Sequence, residues 1–390
     1  MPFTGKATYA AGTDLPEIME DVADVIGIVS PYETPLLDYL GDAKRPATST
    51  VHEWIEDTLL PNTDTINQTT FTPNAQDCTS VTVNNGPRFQ VGDQVRPGNA
   101  TEVMQVTAVA GNVLTVVRRY GNTPASSLSN TLKLTIVGNA ALEGADAPAV
   151  RFTARARRQN YTQIFSAAVE VSGSMRATRL HGVADEFDYQ KQERVRELLR
   201  DLENSVVNGT APAATPQGSS TVRRSMNGII RLIATNQFVP GQNGFPQGGG
   251  AGNTDLTETL VNTALRTVWE QASSKIDTIV VGGMQKRRIN SFISSSRAYA
   301  PEDSRLRDLV SVYESDFGVC RVMLSRWVPQ DTVLFLDSSR IQVLPLRGRS
   351  FAYQPLGAAG DRAAGQLVGE YTLEFKNENA HGLIRGLSTT

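Results

Sequence analysis

The stretch from Leu180 to Val207, LHGVADEFDYQKQERVRELLRDLENSVV, constrains the fold more than any other part of this chain. Val183, Phe187, Val195, Leu198, Leu199, Leu202 and Val206 fall at three- and four-residue spacing and line one face of a helix, with an interruption near Lys191. Opposite charges stand three apart at Asp188/Lys191, Glu193/Arg196, Arg194/Glu197, Glu197/Arg200 and Arg200/Glu203. Each such pair adds roughly a few tenths of a kcal/mol. A helix of this length spans about 40 Å. Either it is a solvated amphipathic helix on one core, or it is a rigid strut whose charged face, including Glu193, Arg196 and Arg200, meets neighbouring copies.

A strut of that size needs a large body around it. The 390 residues have room for two or three cores, and 40% hydrophobic with 20% charged residues describes a soluble globular protein. The net charge of −3 does not favour binding to DNA or to an anionic membrane. The start has no apolar core of signal-peptide type and no run of eighteen apolar residues occurs, so neither secretion by that route nor membrane spanning is expected. Cys78 and Cys320 are expected as reduced thiols. His52, His181 and His381 are scattered, which argues against a His/Cys zinc site and leaves a carboxylate-only metal site open.

Residues 1 to about 45 read as an arm. No basic residue stands between Lys6 and Lys44, while Asp14, Glu17, Glu20, Asp21, Asp24, Glu33 and Asp38 are acidic. Ile18, Val22, Val25 and Ile26 suit a short helix ended by Gly27 and Ser30-Pro31. Residues 51–56 alternate as a half-exposed strand, and NTDTINQTTFTPNAQD follows as a polar run expected to build no core. Residues 78–138 differ in character. Five short β-rich runs, separated by turns such as Gly111-Asn112, point to a small barrel. Arg118 and Arg119 beside Tyr120 read as a solvated hairpin face rather than a nucleic-acid site. Beyond the barrel, Phe152, Ala154 and Ala156 alternate with Thr153, Arg155 and Arg157. The basic cluster Arg151, Arg155, Arg157 and Arg158 complements the acidic arm, within or between chains. Residues 50–75 and 139–176 thus form the outgoing and returning limbs of a long β-arm, which is barely stable alone and needs another molecule to lie on.

After the long helix come a Pro/Ala/Ser/Gly linker, a short helix in SMNGIIRLIATN with Gly228 inside it, and a glycine-rich loop at 241–253 without the pattern of a phosphate cradle. Thr254 is expected to cap a helix with Leu256, Leu260, Ala264, Leu265 and Val268 on its buried side. A strand at Ile276–Val281 and a helix at Met284–Ile293 complete a small α/β lobe. The rest is β-rich, with a hairpin turn at Ser315-Asp316-Phe317-Gly318. No catalytic constellation is present. No G-x-S-x-G elbow occurs, and His381 has no identifiable nucleophile. No enzyme activity and no cofactor are expected.

The order of arm, long β-excursion, helix, α/β lobe and closing β segment resembles the coat-protein fold of tailed bacteriophages, the Johnson or HK97-like fold. Several stretches resemble the branch of phage major head proteins with an extra β-domain in the excursion. They are Ser30 to Leu37 (SPYETPLL), His52-Glu53-Trp54, Asn160 to Phe165 (NYTQIF), Glu370 to Glu374 (EYTLE) and Asn377 to Gly382 (NENAHG). The resemblance implies an α+β fold with an N-terminal arm at 1–45 and extended-loop limbs at 46–76 and 139–176. It places an inserted β-domain at 77–138, a peripheral domain with the spine helix at 177–221 and 341–390, and an axial domain at 222–340.

It implies a structural, non-enzymatic major capsid protein that self-assembles as hexamers and pentamers into an icosahedral head around double-stranded DNA. Copies would meet through Asp14, Glu17, Glu20 and Asp21 of the arm, the arginine cluster and the helix face. Scaffolding, portal and decoration proteins would be separate chains. Contact with DNA would be weak and non-specific, and no membrane would be involved. Assembly in the host cytoplasm is implied, with the virion as the final location. Some relatives crosslink a lysine of the extended loop to a neighbour's asparagine. No lysine stands between Arg45 and Lys133, so no such crosslink is expected. A decoration or tail-tube subunit, or a binding protein that uses the barrel, are the alternatives.

Overall fold

The structure is a computed structural model that describes residues 33–41, 43, 45–144, 146–147, 150–153, 155–178, 185–272, 275–296, 312–357 and 360–389. The acidic positions Asp14, Glu17, Glu20 and Asp21, and the short helix expected near Ile18–Ile26, lie outside the described residues. The chain divides into two compact units. One is Ile55–Ala156, and the other comprises Met1–Trp54 with Arg157–Thr390.

In chain order the elements begin with α1 (Pro35–Leu40) and β1 (Val51–Glu56). The strands β2 (Thr63–Thr65), β3 (Ser80–Thr82), β4 (Asp93–Pro97), β5 (Met104–Ala110), β6 (Val113–Val117) and β7 (Lys133–Asn139) follow. Then come β8 (Ala156–Tyr161), β9 (Gln163–Ser172), α2 (Gly173–Ala177), α3 (Glu186–Asn208), α4 (Ile229–Leu232) and β10 (Gln237–Phe238). The chain continues through α5 (Glu258–Gln271), β11 (Thr278–Val281), α6 (Gly283–Ser296), β12 (Val312–Ser315) and β13 (Gly318–Leu324). It closes with β14 (Val333–Leu336), β15 (Ile341–Pro345), β16 (Ala352–Pro355), β17 (Arg362–Phe375) and β18 (Gly382–Ile384).

Within Ile55–Ala156 six strands run in the order β2-β7-β4-β5-β6-β3. An antiparallel bridge between Ile66 and Val83, with Asn67 N–H on the Thr82 carbonyl at 2.8 Å, joins the two ends of this path and closes the strands on themselves. Their inward side chains, among them Val81, Val95, Met104, Leu114 and Leu134, form a separate core. The polar run expected to build no core supplies β2 and the buried Ile66. Phe71 of the same run packs against this core, and the ladder with β7 satisfies the backbone of β2. Gly111 and Asn112 make the two-residue hairpin between Ala110 and Val113, as expected. Only Gly111 has a positive φ, 59°, which suits a II′ turn with glycine first.

In the other unit a six-stranded sheet has the order β10-β18-β14-β11-β13-β12. β11 and β13 are parallel, with α6 in the crossover, and α5 packs Leu260, Val261, Ala264, Leu265 and Val268 into the same core. In α6, Ile289 is buried and Phe292 packs against the same core. β12 and β13 form the expected hairpin with Ser315 opposite Gly318. A second sheet centres on β17, whose fourteen residues pair with β9 along one edge and with β15 and β16 along the other. A second core lies here, where α3 sets Leu198, Leu202, Val206 and Val207 against Phe165, Val343, Leu373 and Phe375.

Four local expectations need correction. The long helix is described from Glu186, where Asp185 Oδ1 accepts the Phe187 N–H at 2.8 Å, and residues 179–184 lie outside the described part. Gly228 precedes α4 rather than lying inside a helix. A Cβ there would come within 2.8 Å of the Val207 carbonyl oxygen at the end of α3, so glycine lets the two backbones meet. Thr257, not Thr254, caps α5, accepting the Leu260 N–H. The returning limb is strand only from Ala156 onward. Among the described residues the stretch around Phe152 has no partner strand to hold it extended.

Candidate functional site

Three of the short stretches that carried the sequence resemblance, those around His52, Asn160–Phe165 and Glu370–Glu374, meet along β17. Glu370, Thr372 and Glu374 fall on one face of this strand by two-residue alternation, and all three are buried. Thr162 Oγ1 donates to Glu370 at 2.6 Å, and Thr372 Oγ1 donates to the Tyr161 carbonyl at 3.0 Å. The Asn160 amide donates to the carbonyls of Leu373 and Asn227, while its oxygen accepts the N–H groups of Tyr161 and Asn227. Arg224 donates to Glu370 at 2.6 Å and to the Thr162 carbonyl at 2.8 Å, and Arg349 reaches Glu370 at 2.8 Å.

At Glu374, Arg45 (3.0 Å), Lys376 (2.7 Å) and His52 Nε2 (2.5 Å) converge on one carboxylate. Burial pushes Glu374 up, but His52, Lys376 and Arg45 outweigh it and hold the group down at about 2. One strand thus ties β1, β8 and the segment before α4 together through satisfied polar groups, in addition to the apolar core that Trp54, Met226, Leu373 and Phe375 share.

His381 is buried and pushed down to about 4, chiefly by loss of water. Its Nδ1 accepts the Asp337 N–H at 3.2 Å, which leaves Nε2 to donate to the Lys376 carbonyl at 3.3 Å. It is a neutral structural histidine. Glu378 accepts the backbone N–H groups of Ala234 and Thr235 and the Thr235 hydroxyl.

The residues expected to meet other copies sit as follows. Arg155 pairs with Asp57 at 3.7 Å and Arg157 with Glu53 at 3.4 Å, limb to limb. Arg151 donates to the Arg88 carbonyl, and Arg158 is exposed on β8. An open cleft lined by Asp57, Leu60, Arg151, Phe152, Thr153 and Arg155 holds two members of the cluster. Glu193 pairs with Arg196 at 2.5 Å, and Asp188/Lys191 and Arg194/Glu197 form as expected.

Arg200 instead meets Asp201. Glu203 is not on the charged face. It lies with Leu202, Val206 and Val207 on the buried one, where its two oxygens accept the N–H groups of Leu36 (3.1 Å) and Leu37 (3.0 Å) at the start of α1. Its spacing from Leu199 and Val206 was the available signal. α1 was not expected at all.

Arg118 is also corrected. Its side chain is 6% exposed and grips Glu102 with two 2.8 Å bonds, so it belongs to neither a solvated face nor a nucleic-acid site. Both cysteines are buried and free. Among the described residues no group of three or more His, Cys, Asp or Glu could hold a metal ion, and no helix is long and apolar enough to cross a membrane.

The fold has counterparts among solved capsids. The capsid of an empty GTA particle covers 97% of this chain and 99% of its own, with a TM-score of 0.52 at 10% identity. The capsid of Myoviridae phage XM1 covers 97% of this chain and 100% of its own, with a TM-score of 0.51 at 12% identity. These likenesses show an HK97-like α+β fold. No curated protein sequence matches the chain. A family model described as SU10 major capsid protein matches residues 3–388. The chain belongs to the SU10 major capsid protein family. This capsid protein is a structural, non-enzymatic subunit of the phage head, it self-assembles into capsid oligomers, and it is part of the virion.

Proposed function

We propose that this capsid protein closes into hexamers and pentamers, and that these tile an icosahedral head around packaged DNA. The observation that carries the reading is apolar surface that its own unit leaves uncovered. On the limbs Leu59, Leu142, Val150 and Phe152 are each more than 80% exposed. Four such side chains in water favour burial against another copy, at roughly 1.5–3 kcal/mol each when fully covered.

In this reading residues 1–45 are the arm and 46–76 and 139–176 are the extended-loop limbs; their exposed parts around Leu59 and around Leu142–Phe152 lie on the next subunit, while His52 and β9 stay bound to β17 of their own. The insert takes in the β2 sequence as well as 77–138. The peripheral domain is built on α3 and the β17 sheet, and the axial domain on the six-stranded sheet, to which β18 is assigned. Glu193, Arg196 and Arg200 on α3, the acids of the arm and the arginines of the limbs supply polar contacts between copies. Scaffolding, portal and decoration proteins are separate chains, contact with DNA is weak and non-specific, and assembly takes place in the host cytoplasm. The near-neutral net charge fits a shell that does not grip phosphates.

The test is electron microscopy, with mass by light scattering, of the full chain alone and co-expressed with the other head proteins of its phage. Rings, sheets or shells are the expected result, and a monomer under both conditions overturns the reading. In the same assay Leu59→Ser with Phe152→Ser should leave folding stability within about 0.5 kcal/mol, since both side chains are exposed. The same pair should abolish closed particles.

A further inference from the structure

We propose that the outer side of the β17 polar seam is the docking surface for the acidic segment Asp14–Asp24 of a neighbouring copy. The inference rests on the assembly reading above and adds a partner to one surface of it. Two buried carboxylates, Glu370 and Glu374, are met by Arg224, Arg349, Arg45, Lys376 and His52. Four permanent cations against two anions leave a formal surplus of two positive charges. The surplus is presented outward. The side chains of Arg45, Arg349 and Lys376 are 61%, 46% and 41% exposed, while the carboxylates between them are nearly inaccessible.

Arg347 joins them. Its N–H bonds the Ala47 carbonyl at 2.9 Å and its side chain is exposed, so it stands on the same short segment pair as Arg45 and Arg349. Glu370 and Glu374, four residues apart on one strand, space the two cation groups by about 13 Å.

The chain carries one matching partner. Asp14, Glu17, Glu20, Asp21 and Asp24 lie in eleven residues with no cation among them. From Asp24 to the first described residue, Glu33, the chain reaches at most about 30 Å, enough to pass from one subunit to the next. The root of the arm is pinned, with Trp327 Nε1 donating to the Glu33 carbonyl and Glu203 holding Leu36 and Leu37. The arginines of the limbs are poorer acceptors, because Arg155 and Arg157 already face Asp57 and Glu53. Complementary charge across such a contact selects partner and register.

The experiment is a charge exchange in the full chain, read by the fraction of protein in rings or shells. One variant carries Asp14→Lys, Glu17→Lys, Glu20→Lys and Asp21→Lys. The other carries Arg45→Glu, Arg347→Glu and Arg349→Glu, leaving His52, Lys376 and Arg224 on the buried carboxylates, and a milder version has glutamine at the same three positions. Circular dichroism and thermal unfolding confirm that each is folded. If the glutamate version is not folded, the glutamine version is read instead.

Each charge-exchange variant alone is expected to lose at least tenfold in assembled fraction, and the glutamine version several-fold. An equimolar mixture of the two charge-exchange variants is expected to assemble, since every arm then finds an opposite charge next door and alternation closes around a six-membered ring. Normal assembly of the folded surface variant overturns the proposal. Recovery in a single chain carrying both exchanges, without recovery in the mixture, overturns it in favour of the chain's own arm. Normal shells with reduced DNA content overturn it in favour of a DNA-facing surface. Failure of the unmodified chain to assemble would count against the assembly reading instead.

Discussion

Glu102→Ala should lower the stability of the Ile55–Ala156 unit by about 3–5 kcal/mol, the range seen when one partner of a buried ion pair is removed. Glu102 is fully buried and accepts five hydrogen bonds: two from Arg118, one from the Arg119 N–H, and two from the N–H and hydroxyl of Ser126. Without it the Arg118 guanidinium stays in the interior, held by the carbonyls of Ala75, Cys78 and Ser126, with no compensating charge. Replacing both, as Glu102→Leu with Arg118→Met, should cost far less than the single change, because no charge is then stranded.

Burial pushes the Glu102 carboxyl up, but the Arg118 guanidinium and the Ser126 and Arg119 hydrogen bonds outweigh it and hold the group at about 2, below the unfolded value of 4.5. Its contribution is therefore complete above pH 4.5 and is lost as pH falls towards 2. The loss amounts to about 3 kcal/mol by linkage. Hydrogen exchange at Met104–Ala110 reports the unit by itself. Unchanged protection in Glu102→Ala would mean that the clamp is dispensable.

Glu203 should give the opposite pH dependence. Burial, the largest influence, raises its carboxyl to about 7, against the lowering effect of the Leu37 and Leu36 N–H groups and with a small further rise from Asp38. The folded state prefers the protonated acid, whose carbonyl oxygen still accepts. The hold on α1 is then strongest below pH 4.5 and weakens as pH rises through 7, by about 3 kcal/mol across that window.

Protection of the Leu36–Leu40 amides, corrected for intrinsic exchange, should fall by about two powers of ten between pH 4.5 and 7.5. Glu203→Gln should flatten that profile, having nothing to titrate. Glu203→Ala should remove most protection at every pH, because it leaves two N–H groups without an acceptor at about 1–3 kcal/mol each. A wild-type profile as flat as that of Glu203→Gln would refute the assignment.

These residues show where the sequence was readable and where it was not. Periodicity placed α3, α5 and α6, and alternation with turn chemistry placed the insert strands and the β12–β13 hairpin, because those signals are local. The motifs NYTQIF, EYTLE and NENAHG were visible as words, but their meaning lies in contacts across more than 140 residues, such as Arg224 with Glu370 and Ala234 with Glu378. Charge-pair counting on α3 failed at Glu203 because a carboxylate on the buried face was read as part of the solvated one. Arg118 was misjudged for the same reason. Nothing in RRYG reveals that Glu102, sixteen residues away, turns its guanidinium inward. α1 escaped because six residues beginning with proline carry too little periodicity to register.

The position of β17 near the end of the chain bears on when a subunit is ready. Arg45, His52, Asn160, Thr162 and β9 all find their partners on Arg362–Phe375. During translation, at roughly 5–20 residues per second, those earlier segments must wait on the order of half a minute for the strand that receives them. The inserted unit, whose core is drawn from its own residues, has no such delay. A nascent chain would therefore carry a finished insert on an unfinished body. The surface that gathers Arg45, Arg349 and Lys376 would exist only once residue 376 has been made, so a chain cut before that point lacks it.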